Sequence, residues 1–236
     1  MGLYSLFSSG WRTVGEGGWS TAGAVDLTGG GTVSLGGVTW TAENGGRCST
    51  LGPDGSTGLR IVQTTNSSII SNTCPGVYAG LPDILTAAPT DQLYMMIRVT
   101  AGASAGAVGV TLRRSGKYLF GGMLWVAAFE GYAVATATQY TDYSSALGGT
   151  TDQVIGLLYA SGTLQVYLHG AWTGAWPVGP SGATAVAHIG EEASSGKASN
   201  LIPIDNADTK IGIIGLRSGT NTNFTVIAHR VLRRAA

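Results

Sequence analysis

The sequence has few charged residues. Asp, Glu, Lys and Arg make up 11% of its 236 positions, against about 25% in a typical soluble domain, and the formal net charge is zero. No run of Lys and Arg is longer than two residues. Because nucleic-acid binding depends on neutralising several phosphates, this composition argues against a nucleic-acid partner.

Cysteine is also scarce. The two cysteines, Cys48 and Cys74, do not form a CxxC pair and are too few for a zinc site. Reduced or buried thiols and a mutual disulfide both remain open.

Long apolar runs are missing as well. No run is long enough to span a bilayer, and the opening MGLYSLFSSG has neither the basic start nor the apolar stretch of a signal peptide. We therefore expect a chain that folds in a cytoplasm and is not inserted into a membrane.

Glycine and short apolar runs are abundant instead. Glycine occupies 38 positions and apolar residues make up 44% of the chain. From about residue 31, around a dozen short runs alternate apolar and polar residues and end at Gly, Pro, Asn or Asp, as in TVSLGGVTW (32–40) and QLYMMIRVTA (92–101). Short connections require antiparallel pairing, and two sheets packed face to face would bury the apolar faces. The prediction is an all-β, antiparallel two-sheet β-sandwich over residues 31–236.

Residues 1–30 follow a different pattern. They mix Tyr4, Phe7, Trp11 and Trp19 with glycine and show no clean period. Aromatic rings without a pattern of their own need another surface to cover them. We expect an irregular N-terminal arm that packs on the main domain or on a neighbouring subunit, with these four rings as its anchors.

Two stretches resemble strands of known sandwiches. LLYASGTLQVYLHGAWTG (157–174) is similar to a hairpin of concanavalin-like and laminin-G-like folds, and IGIIGLRSGTNTNFTVIAHRVL (211–232) resembles their closing strand pair. The resemblance implies a concanavalin-like jelly roll, and it makes GTLQVYLHGAW (162–172) part of the framework.

Catalytic motifs are weak. Glycosidases of this fold place two carboxylates at alternating positions of one strand, whereas Glu191 and Glu192 are adjacent and would point to opposite faces. GASAG around Ser104 has the letters of a nucleophile elbow, but a strand-like segment follows where that motif needs a helix. The histidines His169, His188 and His229 lack ligand-like neighbours. We expect no enzymatic activity, no cofactor and no catalytic residues.

Rings on loops are the stronger signal. Trp172 and Trp176 lie on a Gly/Pro loop after a strand, and Tyr140 and Tyr143 lie on another predicted loop. Such rings cap a core, contact a subunit or stack on a sugar, and the sequence leaves all three open. Asp205 and Asp208, in the motif DNAD, are a weak calcium candidate against an ordinary polar turn, so no metal site is predicted.

The C-terminal segment HRVLRRAA (229–236) is the one locally basic stretch. It indicates a solvated tail or a contact with an acidic partner surface.

Taken together, the neutral Gly/Ser/Thr-rich composition, the aromatic arm and a lectin-like sandwich without hydrolase carboxylates resemble bacteriophage virion structural proteins: capsid decoration proteins, head fibres and tail fibres. The resemblance implies a location on the virion, other virion proteins as partners and a homo-oligomer, with a trimer favoured. A host-surface glycan is a further candidate partner, and a carbohydrate-binding, lectin-like module is the alternative function.

Overall fold

The fold is taken from a computed structural model of the chain. It describes residues 10–23, 25–43, 47–51, 57–62, 76–80, 92–100, 107–114, 118–125, 129–134, 142–144, 152–160, 163–185, 209–216 and 225–235.

The described residues form two eight-stranded sheets in which every pairing is antiparallel. The first sheet has, in spatial order, β14 (Thr184–Ala185), β13 (Thr163–Ala171), β12 (Gln153–Ala160), β7 (Gln92–Thr100), β16 (Thr225–Arg234), β5 (Thr57–Val62) and β4 (Arg47–Leu51), and β1 (Arg12–Gly18) also pairs with β16. The second sheet has β11 (Asp142–Ser144), β10 (Phe129–Val134), β9 (Tyr118–Trp125), β8 (Ala107–Arg114), β15 (Thr209–Leu216), β6 (Gly76–Gly80), β3 (Val38–Glu43) and β2 (Thr32–Leu35).

Period-two patterning puts the core between the sheets. On β7, Leu93, Met95, Ile97 and Val99 are buried in one cluster with residues of the other sheet. The partners from the second sheet include Trp40, Val77, Val110, Ile211 and Ile213. The predicted two-sheet β-sandwich is thus confirmed, and the architecture is that of a jelly roll.

The run predicted at 32–40 is a hairpin rather than one strand. Gly36 and Gly37 form its two-residue turn with φ of +60° and +82°, and Leu35 pairs with Val38. The tight hairpin turns whose twist matches that of the strands require two adjacent residues with positive φ. The two glycines therefore reverse the chain in the middle of a stretch whose sequence resembles one continuous strand.

Part of the expected N-terminal arm is a regular strand. β1 pairs with β16 from Arg12 to Gly18, and a short 3-10 turn (Trp19–Thr21) follows it. A β-carbon at Gly15 would lie 2.3 Å from Val38 Cγ2, and one at Gly17 would lie 2.8 Å from Leu35 Cβ. Glycine lets β1 approach the β2–β3 hairpin, and the same glycines hide the strand period in the sequence. Tyr4 and Phe7 lie outside the described residues.

Trp19, one of the four expected anchors, lies in the core. It is fully buried beside Trp40 and His229, with ring centroids 4.9–5.8 Å apart. The imidazole nitrogens and both indole N–H groups have no hydrogen-bond partner of normal geometry among the described residues. Burial lowers the pKa of His229 to about 4, with the Leu35 backbone acting in the opposite direction. His229 is accordingly neutral in the folded protein at pH 7.

The C-terminal segment is not a solvated tail over its described length. Residues 225–234 form β16, which pairs with β7 from Thr225 to Arg234 and with β1 through Arg233. Its basic residues are therefore held at fixed positions of a ladder.

Within the described part of the chain, no helix is long and apolar enough to cross a membrane.

Exchanging Gly36 for alanine should destabilise the fold much more than the same exchange at Gly37. A β-carbon at Gly36 would lie 1.7 Å from the Glu16 carbonyl oxygen, whereas at Gly37 the nearest atom is 3.8 Å away. Gly37→Ala carries the cost of a positive φ alone, about 1 kcal/mol, and Gly36→Ala adds the displacement of β1. Urea unfolding measures both variants, and equal losses in the free energy of unfolding would contradict the close approach of β1 to the hairpin.

Stability should fall as the pH drops from about 6.5 to about 4. The unfolded chain binds a proton on His229 near the ordinary pKa of 6.5, whereas the folded protein does so only near 4, so the contribution of neutral His229 is complete above pH 6.5 and is lost through this window. It amounts to about 3 kcal/mol. Urea unfolding of His229→Phe at several pH values should show a shallower pH dependence than the parent protein. Part of the pH dependence of stability remains in the variant, because the pKa of His169 is also lowered to about 4. Identical pH slopes would contradict a buried neutral His229.

Candidate binding surface on the outer face of the first sheet

The outer face of the first sheet carries a second apolar cluster. Alternate residues of β7, β12 and β16 point away from the core. Four of these outward-facing residues are nevertheless buried in a cluster of their own: Tyr94, Met96, Val154 and Leu232. We call this group the outer cluster, together with its partly buried neighbours Trp11, Leu158, Tyr167, Trp172 and Trp176. An antiparallel sheet usually turns a polar face to water, so a covered outer face is a specific feature of this molecule.

Tyr94 occupies the middle of the outer cluster because Gly156 makes room for it. A β-carbon at Gly156 would lie 2.3 Å from the Tyr94 hydroxyl oxygen. That oxygen lies 2.5 Å from His169 Nε2. Burial, and then Tyr167, raise the pKa of Tyr94, while burial lowers the pKa of His169 to about 4. The tyrosine therefore donates its proton to a neutral imidazole.

The loop after β13 covers part of this face. Trp172 and Trp176 lie on it, with ring centroids 5.2 Å apart and planes at 76°. The Trp172 amide donates to the Asp152 carbonyl oxygen at 2.8 Å, and the Arg98 guanidinium lies 4.7 Å from the Trp172 ring centroid. The loop is thus attached to the sheet at its first residue.

Asp152 ties this attachment together. Its carboxylate forms an ion pair with Arg98, with Nε donating to Oδ2 at 2.7 Å, and accepts a hydrogen bond from Thr100 Oγ1 at 2.5 Å. Arg98 is therefore held by the Asp152 carboxylate and also lies against the Trp172 indole. Such a doubly held guanidinium orients the Trp172 ring.

Tyr167, His169, Trp172 and Trp176 are all half-buried, so each is partly open to solvent. We call these four residues the ring surface. They share one side of the first sheet and rest on the buried part of the outer cluster. The arrangement offers flat apolar area next to imidazole and guanidinium nitrogens, which suits binding of a partner or of a sugar.

The predicted contact residues are placed as follows. Trp172 and Trp176 both pack on the outer cluster, so capping of an apolar layer is at least one of their roles. Tyr143 lies in β11, a strand of the second sheet for which the backbone is described, whereas the two tryptophans cover the first sheet. Tyr140 lies outside the described residues. The four predicted rings therefore come from different sheets or remain undescribed.

The sequence reasoning missed several members of this site. Trp11, expected as an arm anchor, packs against Tyr94 with ring centroids 6.0 Å apart. The sequence pattern places Tyr167 and His169 in the framework and gives no sign of a binding role. The one available signal was the shared parity of Tyr94, Met96 and Arg98 on β7, which puts an aromatic ring and a cation on the face away from the core.

The candidate catalytic and metal-binding residues are not among those that the structure describes. Ser104, His188, Glu191, Glu192, Asp205 and Asp208 lie outside the described residues. Among the residues that are described, no group of three or more His, Cys, Asp or Glu side chains is arranged to hold a metal ion. The strand β4 carries Cys48 in the first sheet, and Cys74 is not described.

Comparisons with known proteins show the fold. No family model matches the chain, and no curated protein matches it. Among solved structures it is similar to the GH43 BlXynB protein from Bacillus licheniformis, with 10% identity, a TM-score of 0.54 and coverage of 98% of this chain and 39% of that one. It is also similar to a Bacteroides ovatus xyloglucan PUL GH43B protein (12% identity, TM-score 0.47, 89% and 38% covered). A third likeness is the CBM2 module of the Lactobacillus casei BL23 phage J-1 evolved Dit (12% identity, TM-score 0.46, 92% and 96% covered). The chain spans about two fifths of the two GH43 proteins, and at these identities the likeness concerns the β-sandwich fold alone.

Proposed function

We propose that the protein is a non-enzymatic structural subunit on the exterior of a bacteriophage particle, and that it binds neighbouring virion proteins through the ring surface. The observation that carries the proposal is the set of half-buried rings Tyr167, His169, Trp172 and Trp176 on one face of the first sheet. Aromatic side chains supported from below are the usual anchors of protein interfaces. The assignment to a phage particle rests on the sequence resemblance.

Preorganisation supports a role in binding. The Arg98–Asp152 ion pair, the Thr100 hydrogen bond and the backbone contact of Trp172 hold the loop before any partner arrives. A surface that is already ordered loses little conformational entropy on association. The same contacts would serve an assembly subunit whose neighbours are fixed in place.

The local chemistry also supports a role without catalysis. His169, a member of the ring surface, forms an acid–base pair with Tyr94, yet Tyr94 is 0% exposed and its raised pKa keeps the hydroxyl protonated. A substrate on the surface does not reach that oxygen. The pair fixes the orientation of the imidazole and of the strand that carries it.

Copies of the chain are proposed to assemble into a homo-oligomer, with a trimer favoured on the family resemblance. Closed symmetry is the usual arrangement of identical subunits, and a trimer is closed by head-to-tail contacts in which one surface of a subunit meets a different surface of the next. Sedimentation of the purified protein measures the number of copies.

An arginine placed on the loop should weaken attachment to the particle. Ala175 is exposed between Trp172 and Trp176, so Ala175→Arg covers the ring surface without removing a buried side chain. Thr32→Arg is the matched control, because it adds the same side chain at an exposed position of the second sheet. Particles that lack the protein are mixed with each variant and sedimented, and Ala175→Arg should bind at least ~10-fold more weakly than Thr32→Arg at equal Tm. Absence of the protein from purified wild-type particles would refute the phage assignment.

Binding of carbohydrate is the second candidate function. The observation in its favour is that the half-buried rings of Tyr167 and Trp176 lie on the same face as the polar atoms of His169 and Arg98, the combination that sugar sites use. In this case the parent protein should bind members of a glycan array and change its tryptophan fluorescence when they are titrated, and Ala175→Arg should lose both signals. A blank array, together with particle attachment that Ala175→Arg weakens, would leave assembly as the function.

A further inference from the structure

Arg234, the last residue of β16, points to the outer face of the first sheet. It follows Leu232 of the outer cluster by two residues, and the side-chain period of a strand is two. Its direct partner on β7 is Gln92, which lies two residues before Tyr94 of the same cluster. The guanidinium group therefore belongs to the side of the sheet that carries the ring surface.

Arg234 differs in its partners from the other outward-facing arginines of β7 and β16. Arg98 is paired with the Asp152 carboxylate, and Arg230 is paired with the Glu16 carboxylate at 3.1 Å. Within the part of the chain that the structure describes, no carboxylate is paired with Arg234. These strands thus present two neutralised guanidinium groups and one whose positive charge the described residues do not balance.

Neutral groups hold the Arg234 side chain in place. Its guanidinium lies 4.9 Å from the Trp11 ring centroid and donates a hydrogen bond from Nη2 to Gln92 Oε1. A β-carbon at Gly10 would lie 3.3 Å from Arg234 Cδ, so the backbone at Gly10 passes close to the methylene groups of this side chain. The bond to Gln92 uses one of the five N–H groups of the guanidinium. A carboxylate can therefore approach the edge of a cation that is already oriented.

The loop of the ring surface reaches the indole that supports this arginine. A β-carbon at Gly179 would lie 2.7 Å from Trp11 Cδ1, so the loop packs against that ring. Between Trp176 and Gly179 the loop carries Val178, whose side chain is 67% exposed. An apolar path therefore leads from Trp176 over Val178 to Trp11 and ends at the Arg234 guanidinium.

A single unbalanced guanidinium at the end of an apolar path defines the chemistry of the partner. Tryptophan, tyrosine and arginine are the residues enriched at the centres of protein interfaces. A nucleic-acid backbone is bound by several cations at once, whereas one guanidinium fork matches one carboxylate. The arrangement fits a protein segment in which apolar residues flank an Asp or a Glu.

We propose that Arg234 forms an ion pair with an Asp or Glu carboxylate of the partner protein, and that the apolar residues beside this carboxylate pack on Val178 and Trp11. The proposal rests on the proposed function, because it names the chemistry by which the ring surface recognises a neighbouring virion protein. The ion pair would fix the direction in which the partner lies across the ring surface.

Fluorescence anisotropy with a labelled octapeptide tests this contact in the isolated protein. The probe alternates serine and leucine around one central glutamate and is amidated at its C-terminus, and a second probe has glutamine in place of the glutamate. At physiological ionic strength the parent protein should bind the glutamate probe at least ~5-fold more tightly, because glutamine cannot form the charge-assisted hydrogen bonds. Arg234→Gln should reduce this preference to less than ~2-fold, since a neutral side chain no longer distinguishes the two probes.

The matched control is Arg230→Gln, which removes the same charge from the same face of β16. Arg230 is paired with Glu16 and lies four residues before Arg234, about 13 Å along the strand and beyond the screening length of about 8 Å. This variant should keep the preference for glutamate. Val178→Ser removes apolar area without changing charge, so it should weaken binding of both probes by about 2-fold or more and leave their ratio unchanged.

Thermal unfolding separates binding from stability. Arg234→Gln should keep the Tm of the parent within ~3 °C, and a larger fall would show that the arginine serves the fold and would overturn the proposal. Absence of binding, equal binding of both probes by the parent, or equal losses of preference in Arg234→Gln and Arg230→Gln would overturn it as well. So would tighter binding of an octathymidylate, which would indicate a nucleic acid. The assay contains no particle, so its failure alongside intact particle attachment would remove this contact and leave the proposed function standing.

Discussion

Strand β16 is paired along both edges, with β7 on one side and with β1 and β5 on the other. Its register decides which side chains enter each apolar layer, because Val231 lies in the core and Leu232 in the outer cluster. The side-chain period of a strand is two, so a slip by one residue would exchange these faces. The same register buries His229 beside Trp40 and sets Arg233 opposite Arg12. The core and the outer cluster thus depend on one ladder of hydrogen bonds.

The first sheet is covered on both faces, and this explains why β7 is apolar almost throughout. Its polar atoms near the outer face need partners, since a buried polar group without a hydrogen bond costs more than a typical hydrogen bond contributes. The Tyr94 hydroxyl meets His169, and Arg98 meets Asp152. The residues that cover the outer cluster are half-buried rings, so this face of the sheet is only partly covered. A layer that is buried below and open above is suited to being completed by another surface.

Prediction from the sequence succeeded where local pattern decides the structure. Short apolar runs of strand length are visible in the sequence at β7, β12 and β15, and they sufficed to predict two antiparallel sheets. The strand β1 was missed because Gly15 and Gly17 stand where it approaches the hairpin, so close packing itself erased the apolar period. The site was missed for a different reason. Tyr94 and His169 are 75 positions apart, and no local pattern in either segment specifies that contact.

The rings and the polar groups of the ring surface are suited to different parts of binding. Burial of ring area stabilises a complex without fixing its direction, whereas charged and polar groups orient partners and reject wrong ones. Charge interactions across water fade over about 8 Å at physiological salt, so a guanidinium acts on a partner only near contact. Arg98 lies against the Trp172 ring, so such a group is held directly beside the rings. In the proposed assembly, the rings would supply most of the affinity, and the polar atoms of His169 and Arg98 would orient the partner.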